Sequence, residues 1–569
     1  MRISEIQIKN FKSLKNVALT GLKNLVVLIG KNSSGKSNML DALNLFFNAF
    51  NLIEPASIGP ITEFDSRIWH DIRIELPIEV VLRIEFNSRE CEEIFPGEAL
   101  KIVRERSPES YNQVIFCRRI VDVKTGWKTE YVKWRDVPIV LNNKLVSPED
   151  FRKSLITPTA EATSSTAFSE SAAAKMIGKV ASSLHNRVKG NFTLVRVTRD
   201  SSERPSDVFE RAPIVDSETC EMLRSIGQSR KLEDIKHWAE IEKTFEVFSS
   251  MRLDVREGEI YARKNNLYLP MHLIGGGDQE VLILKRLLMR QGSIMAIEEP
   301  EMHLHPQLVN RVLKIIKEFS ANSQVFLATH SPLILDRVEV GSVWIARMEG
   351  KETIFIGLDS AEDMRRILVE LDTPLSSVIF AERILLVEGV LEKVMLPILA
   401  KKIGIDPENF HIVPANLKPC RQNCKLPFFR RELQREYHLR TWIDFSKKVQ
   451  IPLFLLLYKS AKIEVEKLKR EGFLEAQNCA ILPTALVNCV PVKTLVEVLN
   501  ENYGLQLNIG DVDARKQRMI EVEKVLKRWK KLHPGWKTFI AEKMAEKMSK
   551  EDTPAEVKVL FENMFKTGR

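Results

Sequence analysis

The chain has 569 residues, of which 44% are hydrophobic and 28% charged, and its formal net charge is +9. This length predicts several domains, and no apolar run approaches the roughly 20 residues that cross a bilayer, so a membrane-spanning protein is excluded. The first residues lack the basic and apolar regions of a secretory signal, so we expect a cytoplasmic protein. The excess of positive charge favours a polyanionic partner, with nucleic acid as the first candidate.

Cysteines are few, and their number argues against a disulfide framework. Seven are spread thinly along the chain, and in a chain of this length reduced thiols are the expectation. A zinc site at Cys420 and Cys424, with His411 and His438 nearby, is the alternative, but no second cysteine pair supplies the usual spacing.

The first 50 residues predict a strand pair, a buried strand and a helix. Residues 1–19 alternate apolar and polar side chains, which is typical of two strands with one buried face. The apolar run Leu25–Ile29 predicts a central strand. After a glycine-rich turn, Asn38–Phe50 has the spacing of an amphipathic helix. This is the order of elements that a phosphate-binding loop requires.

The remaining patterns predict a head that is interrupted by an insertion and followed by a second domain. Short alternating segments in 76–140 predict an antiparallel sheet. The Ser/Thr/Ala-rich run 157–174 and charged helical segments mark an insertion with a flexible or helical connection. Strand patterns resume at 253–269, a helix is predicted at 278–290, and buried strands are predicted at Ile294–Ile297 and Ile384–Val387.

The fold class predicted from these elements is α/β. We expect an ATPase head with mixed sheets and helices, formed by an N-terminal lobe at 1–146 and a C-terminal lobe at 251–375. The insertion at 147–250 could serve dimerisation, and an α/β domain with C-terminal helices occupies 376–569.

The segment between the first buried strand and its helix fits the phosphate-loop template G-x-x-x-x-G-K-[ST]. Its backbone N–H groups and the helix start would cradle phosphates, Lys36 would reach the β and γ oxygens, and Ser37 would bind magnesium. The predicted nucleotide contacts are Gly30, Lys31, Asn32, Ser33, Ser34, Gly35, Lys36 and Ser37. ATP and Mg²⁺ are therefore the expected cofactors.

Acidic residues at the end of another buried strand supply the parts needed for hydrolysis. Glu298 would hold the magnesium hydration shell, and Glu299 would orient and activate the attacking water. Paired glutamates on a solvated helix are the alternative, but the preceding apolar run and Pro300 disfavour a helix interior.

A histidine follows the next buried strand, Gln324–Ala328. At a strand end His330 could bond a γ-phosphate, and an ordinary structural histidine is its competitor.

Five segments in this order resemble the head domain of SMC/RecF-like ABC ATPases, and most closely the OLD (overcoming lysogenisation defect) family. They are RISEIQIKNFKSLKNVAL, LIGKNSSGKSNMLDAL, IGGGDQ, AIEEPEMHLHP and ATHSP. The resemblance covers about residues 1–375 and implies that two heads dimerise, each capping the other's ATP with a glycine-rich signature. The signature here would be Gly275, Gly276, Gly277, Asp278 and Gln279, with glycine at 276 where the family commonly has serine.

The segment ILLVEGVLEKVMLPILAKKIGI resembles the start of a TOPRIM domain, the magnesium-dependent fold of OLD nucleases. The resemblance implies that Glu388 and Glu392 share a metal, with Glu497 as a further carboxylate. Near the C-terminus, GWKTFIAEKMAEKM resembles the family's last helix, whose lysine corresponds to Lys537 and would balance charge on a scissile phosphate.

This chain departs from the TOPRIM pattern at its third strand. The family has Asp-x-Asp there, and this chain has Tyr458, Lys459 and Ser460. A hard divalent cation needs anionic oxygen ligands, which a lysine would repel. A TOPRIM-like domain kept for architecture or DNA binding is therefore favoured over one that cleaves DNA.

Two basic segments are candidates for nucleic-acid contact. Lys418–Trp442 interleaves cations and aromatic rings, including Arg430 and Arg431, which suits phosphate contact and base stacking. A solvated amphipathic helix explains this pattern equally well. In the second segment, 515–531, apolar positions that include Trp529 predict a packed helix first.

The sequence thus predicts an ATPase that acts on DNA as a homodimer or larger oligomer of its heads. An active magnesium-dependent endonuclease and a nucleotide-gated scaffold for a partner remain as alternatives. The family resemblance implies a role in phage defence with a helicase-like or effector partner.

Overall fold

The computed structural model describes residues 1–48, 76–120, 127–156, 170–196, 217–256, 259–270, 273–274, 282, 293–302, 304–358, 374–415, 428–512 and 517–566. The chain forms two compact units, unit 1 at Met1–Asp359 and unit 2 at Ser360–Arg569. Within the described ranges no helix is long and apolar enough to cross a membrane.

The described residues of unit 1 form three sheets. Its strands are β1 Arg2–Phe11, β2 Leu14–Thr20, β3 Leu25–Ile29, β4 Ile78–Glu85, β5 Gln113–Ile120, β6 Trp127–Trp134, β7 Val137–Leu141, β8 Lys144–Leu145, β9 Phe192–Arg196, β10 Arg252–Arg256, β11 Glu259–Lys264, β12 Leu267–Pro270, β13 Ile294–Glu298, β14 Gln324–Thr329, β15 Val343–Glu349 and β16 Glu352–Gly357. The sheet orders are β2-β1-β4-β5-β6-β7-β8, β16-β15-β3-β14-β13-β9 and β10-β11-β12. The strand pairs of the seven-stranded sheet are antiparallel, as the alternating sequence patterns predict.

The helices of unit 1 follow the same chain order. They are α1 Lys36–Asn48, α2 Ser88–Ile94, α3 Gly97–Arg106, α4 Pro148–Ile156, α5 Glu170–Val188, α6 Ser217–Gln228, α7 Leu232–Ser249, α8 Pro306–Ser320 and α9 Pro332–Leu335. The apolar stripe of α1, with Leu40, Leu43 and Phe46 fully buried, packs into one core with β1 and β2. This confirms the predicted strand pair, central strand and amphipathic helix.

Part of the predicted insertion belongs to this core. Strand β9 pairs in parallel with β13 in the six-stranded sheet, and Ile177, Val180 and Leu184 of α5 are buried with the residues of α1. By contrast, α6 and α7 pack with β10 and β11 in a separate apolar cluster. The Ser/Thr/Ala-rich residues 157–169 lie outside the described residues.

Unit 2 contains a parallel four-stranded sheet. Its strands are β17 Ile384–Val387, β18 His411–Pro414, β19 Leu453–Tyr458 and β20 Cys479–Leu482, in the order β18-β17-β19-β20. Its helices are α10 Leu375–Ile379, α11 Val390–Lys402, α12 Phe428–Val449, α13 Lys462–Arg470, α14 Val492–Tyr503, α15 Arg518–Arg528, α16 Trp536–Lys547 and α17 Ala555–Lys566. Apolar residues of α11, α14, α15, α16 and α17 share one core with the sheet.

A buried glutamine joins the two larger sheets of unit 1. Gln324, the first residue of β14, is fully buried. Its Nε2 donates to the carbonyl oxygens of Ile3 and Lys23 at 2.7 and 3.1 Å, and its Oε1 accepts from the Ile3 N–H at 2.7 Å. The side chain thus satisfies backbone groups of β1 and of the turn before β3.

Replacing this glutamine should therefore destabilise unit 1. Gln324→Leu removes three hydrogen bonds and leaves a backbone N–H buried without that acceptor, which costs about 2–4 kcal/mol of unfolding free energy. Urea unfolding of the full chain measures the change. Gln307→Leu, at an exposed position on α8, is the matched control and should stay within about 0.5 kcal/mol of the parent. Equal stability of the two variants would contradict a structural role for Gln324.

Candidate functional site

The predicted site residues of unit 1 meet at the carboxyl edge of three parallel strands. In the six-stranded sheet β3, β14 and β13 are neighbours and run parallel. The phosphate loop follows β3, Glu298 ends β13, and His330 follows β14. Because the carboxyl ends of parallel strands lie at one edge of a sheet, these segments converge there.

The two glycines of the phosphate-loop template occupy positions that no larger residue fits. A Cβ on Gly30 would lie 2.3 Å from the carbonyl oxygen of Ala346 in β15, and one on Gly35 would lie 2.0 Å from Oγ1 of Thr353 in β16. Gly35 also has a φ of +95°, a conformation that glycine adopts without steric cost. Tight packing against β15 and β16 therefore fixes the path of the loop.

Lys36 is buried within this loop. Its Nζ donates to the carbonyl oxygens of Gly30 and Lys31, each at 2.9 Å. Burial lowers the pKa of Lys36, and the negative charges of Glu299 and Glu298 oppose that shift. The ammonium group is thus held in the loop by carbonyl dipoles and lies in the field of the acidic residues.

The oxygen donors expected for magnesium are in direct contact. The hydroxyl of Ser37 donates to Oε1 of Glu298. A hydroxyl and a carboxylate are the hard ligands that Mg²⁺ prefers. Ser34 adds a buried hydroxyl oxygen with no hydrogen-bond partner among the described residues, the kind of group that a phosphate oxygen would satisfy. These residues fit a nucleotide bound with its metal.

Glu299 and His330 form a hydrogen-bonded pair. Oε1 of Glu299 lies 3.0 Å from Nδ1 of His330. The N–H of Glu299 continues the β13–β14 ladder by donating to Ala328 at 2.8 Å, and its φ is +49°. A left-handed backbone is uncommon outside glycine and is typical of functional sites. Because Nδ1 donates its hydrogen bond to Glu299, Nε2 is the ring nitrogen that can contact a ligand. Nε2 accepts a hydrogen bond when the ring is neutral and donates one when the ring is charged.

Sequence reasoning missed a third glutamate at this site. Oε1 of Glu301 accepts from the hydroxyl of Thr329 and, at 3.3 Å, from the backbone N–H of His330. The Thr329 hydroxyl in turn accepts from the N–H of Ser331 at 2.9 Å. Glu301 thus fixes the turn that carries His330. Its place in the EEPE segment, two residues after Glu299, was the available signal.

Loss of this contact should slow catalysis by loosening His330. For Glu301→Ala we expect kcat for ATP hydrolysis to fall about tenfold, the equivalent of roughly 1.4 kcal/mol, with little change in KM. Glu301→Gln keeps an acceptor oxygen and should recover most of the rate. Steady-state phosphate release measures both. A rate for Glu301→Gln as low as that for Glu301→Ala would show that charge, and not positioning, is what Glu301 supplies.

Several predicted site residues fall outside the described structure. These are the signature residues Gly275, Gly276, Gly277 and Gln279, the predicted helix at 278–290 apart from Leu282, and the cysteines Cys420 and Cys424. Arg430 and Arg431 lie on α12, as predicted for a helix.

In unit 2, the two carboxylates of the TOPRIM-like segment meet a tyrosine. Glu388 follows β17 and Glu392 lies in the first turn of α11, and both are 2% exposed. The N–H of Tyr458 donates to Oε1 of Glu388 at 2.7 Å, and its phenol donates to Oε1 of Glu392. One residue, at the end of the neighbouring strand β19, therefore contacts both glutamates.

The third predicted ligand has a different neighbour. Glu497 lies on α14 with 42% of its side chain exposed and is 3.8 Å from Lys547 of α16. Among the described residues, the group of three potential ligands within 4.8 Å of one another is Glu79, Cys117 and Glu130, and not the TOPRIM-like set. Exposed Lys459 follows Tyr458. Glu388 and Glu392 alone supply too few of the six or more oxygen ligands that a hard divalent cation takes.

Three family models match the chain. Residues 1–144 match an AAA ATPase domain, 167–336 match an AAA domain described as a putative AbiEii toxin of a type IV TA system, and 379–425 match the TOPRIM domain of overcoming lysogenization defect protein-like proteins. The chain thus matches models of AAA ATPase domains and of an OLD-like TOPRIM domain, which confirms the expected resemblance and the α/β fold class.

Two curated relatives are nucleases. The OLD nuclease of Thermus scotoductus is 28% identical over 178 residues, which span 28% of this chain and 32% of that protein. Endonuclease GajA of Bacillus cereus is 24% identical over 420 residues, which span 69% of this chain and 67% of that protein. The chain is homologous to both, and the alignment with the first covers only about a third of that relative's length.

Solved structures of SMC heads give weaker matches. An SMC head bound to the C-terminal winged-helix domain of ScpA has a TM-score of 0.38 and 15% identity, and covers 64% of this chain and 100% of its own. The SMC head domain from Thermotoga maritima has a TM-score of 0.34 and 14% identity, and covers 63% of this chain and 99% of its own.

Proposed function

We propose that this OLD-type chain binds and hydrolyses ATP at the edge of the six-stranded sheet and uses that cycle to control its TOPRIM-like domain on DNA. The observation that carries the proposal is the convergence of Lys36, the Ser37–Glu298 contact and the Glu299–His330 pair at one sheet edge. Binding, metal coordination and water activation are the three requirements of phosphoryl transfer, and each has a residue here.

Each residue has a separate task in this proposal. The loop N–H groups and Lys36 bind the phosphates, and Ser37 and Glu298 hold Mg²⁺, which neutralises charge on the phosphate oxygens. Glu299 orients and deprotonates the attacking water, and its bond to Nδ1 fixes the ring of His330. The other nitrogen of His330 contacts the γ-phosphate. The signature residues Gly275, Gly276, Gly277 and Gln279 complete the site from a second head, so ATP favours a dimer or larger assembly.

The TOPRIM-like domain, in this proposal, does not cleave DNA by itself. Tyr458 bonds the two carboxylates that would otherwise hold a cation, and the positions of the Asp-x-Asp pair hold Tyr458 and Ser460. The domain would then serve DNA binding, architecture or the docking of a helicase-like or effector partner. The second candidate is an active nuclease, which the nuclease relatives favour.

A paired assay on the full chain tests the proposal. ATP turnover is measured with and without DNA, and plasmid integrity is followed with Mg²⁺ or Mn²⁺ in the same preparation. We expect turnover, ATP-dependent self-association and intact plasmid. Absence of turnover would favour the nucleotide-gated scaffold. Plasmid cleavage that Glu388→Ala abolishes would establish the nuclease.

A further inference from the structure

A strongly basic surface lies where α15 leads into α16. This α15–α16 surface, residues 524–537, contains no acidic residue and six cations, Lys524, Lys527, Arg528, Lys530, Lys531 and Lys537. Every residue from 527 to 535 is exposed. Such a density of one charge favours a polyanion.

The surface also exposes a tryptophan that the sequence predicts to be packed. Helix α15 buries Val522, Val525 and Leu526, as expected, but it ends at Arg528, and Trp529 is 47% exposed. Lys530 then has a φ of +52°, so the chain turns directly after the ring. A half-exposed indole among cations offers a planar face for stacking a nucleic-acid base.

Cations from both helices face the same carboxylate. Lys527 of α15 is 2.6 Å from Glu523. The pKa of Glu523 is lowered by its hydrogen bond to Lys527 and also by the charge of Lys537 in α16. Lys524 is 3.3 Å from a second carboxylate, that of Glu521. Two carboxylates cannot neutralise six cations, so the net charge of the surface stays positive.

The connection between the helices is anchored, and so its surface is preformed. Nζ of Lys531 donates to the carbonyl oxygen of Tyr503 at 2.9 Å, and the phenol of Tyr503 lies 2.9 Å from Nε2 of His533. Residues 532–538 line a cavity of about 490 Å³. Helix α16 begins at this cavity, and its first turn contains no acidic residue. A preformed site loses less entropy on binding than a mobile one.

We propose that the α15–α16 surface binds a single-stranded DNA segment, with its phosphates on the cations and one base stacked on Trp529. This inference rests on the part of the proposed function that places the TOPRIM-like domain on DNA. Stacking on an exposed ring needs an unpaired base, so the surface favours single strands over duplex. In this proposal, binding of single-stranded DNA does not require the basic segment on α12.

Anisotropy of a labelled 20-nucleotide oligo-dT tests this surface in the full-length protein. Trp529→Ala should weaken binding about tenfold to a hundredfold, and Trp529→Phe should restore most of it. The double variant Lys527→Ala, Lys530→Ala should reduce the slope of log affinity against log salt by about 1.4. The matched control, Lys462→Ala with Lys566→Ala, removes the same charge elsewhere in unit 2 and should leave the slope unchanged.

The outcomes separate this inference from the proposed function. All variants should keep wild-type ATP turnover, because none lies in the nucleotide site. If the Trp529 and lysine variants bind DNA as tightly as the wild type, the α15–α16 surface is not the binding site. The proposed function would then be unaffected. No DNA binding by the wild type would overturn both the surface and the DNA part of the proposed function, while ATP turnover would still report on the head. Binding to anionic phosphatidylserine vesicles without binding to oligo-dT would overturn the choice of DNA as the polyanion.

Discussion

Glu299→Gln is expected to lower ATP turnover by at least about a hundredfold, because it removes the base that activates the attacking water. The amide keeps the shape of the carboxylate, so Lys36, Ser37 and Glu298 should still bind nucleotide. The variant should therefore accumulate with ATP bound and, if two heads close on ATP, as a stable dimer. Phosphate release, binding of a fluorescent ATP analogue and gel filtration with ATP measure the three effects.

The matched control is Glu339→Gln, which makes the same change at an exposed position of unit 1, 3.8 Å from Lys23. It should leave turnover, binding and self-association unchanged. Residual turnover of Glu299→Gln above a tenth of the wild-type rate would exclude Glu299 as the base. Loss of nucleotide binding in Glu299→Gln would instead assign this glutamate to the magnesium site.

The segments that form the candidate nucleotide site can be predicted from the sequence because each of them is local. A run of five apolar residues determines β3, and the spacing of Gly30, Gly35 and Lys36 identifies the loop without knowledge of the rest of the chain. Strand β13 ends at Glu298, as its apolar run predicts. What joins these segments is the parallel pairing of β3, β14 and β13, which follows once each is recognised as a buried strand.

Contacts between distant segments could not be predicted in the same way. The sequence does not reveal that the side chains of Glu392 and Tyr458, which are 66 positions apart, form a hydrogen bond. Strand β9 lies in a segment whose composition is typical of an insertion. Its place at the edge of the six-stranded sheet depends on pairing with β13, which is about 100 positions away, so the local sequence does not predict it. Trp529 fits the apolar stripe of α15, but the helix ends one residue before it.

The TOPRIM-like segment has two buried carboxylates, although Tyr458, Lys459 and Ser460 stand where the family it resembles has Asp-x-Asp. Buried carboxylates need compensation from a cation or from hydrogen-bond donors. Here the backbone N–H and the phenol of Tyr458 supply donors to Glu388 and Glu392. Donors of this kind stabilise the glutamates without an ion. The fold can therefore bury both carboxylates without the Asp-x-Asp pair of the third strand.

Tyr458→Asp should consequently convert this site into a cation site. The substitution removes the phenol and introduces a third carboxylate at the end of β19, beside Glu388 and Glu392. Without metal, repulsion among the three carboxylates should lower the stability of unit 2. With Mn²⁺ at about a hundredfold excess over its dissociation constant, binding should restore about 2.7 kcal/mol. Thermal unfolding with and without Mn²⁺, and calorimetric titration of Mn²⁺, measure both effects in the absence of nucleotide.

Tyr458→Asn is the matched control, because it removes the phenol and has nearly the shape of aspartate but no charge. It should lose stability without gaining Mn²⁺ binding. Equal stabilisation of the wild type, Tyr458→Asn and Tyr458→Asp by Mn²⁺ would place the metal elsewhere. Strong Mn²⁺ binding by the wild type that is lost in Glu388→Gln would show that Tyr458 yields to a cation, and the TOPRIM-like domain would then have the metal that a nuclease requires.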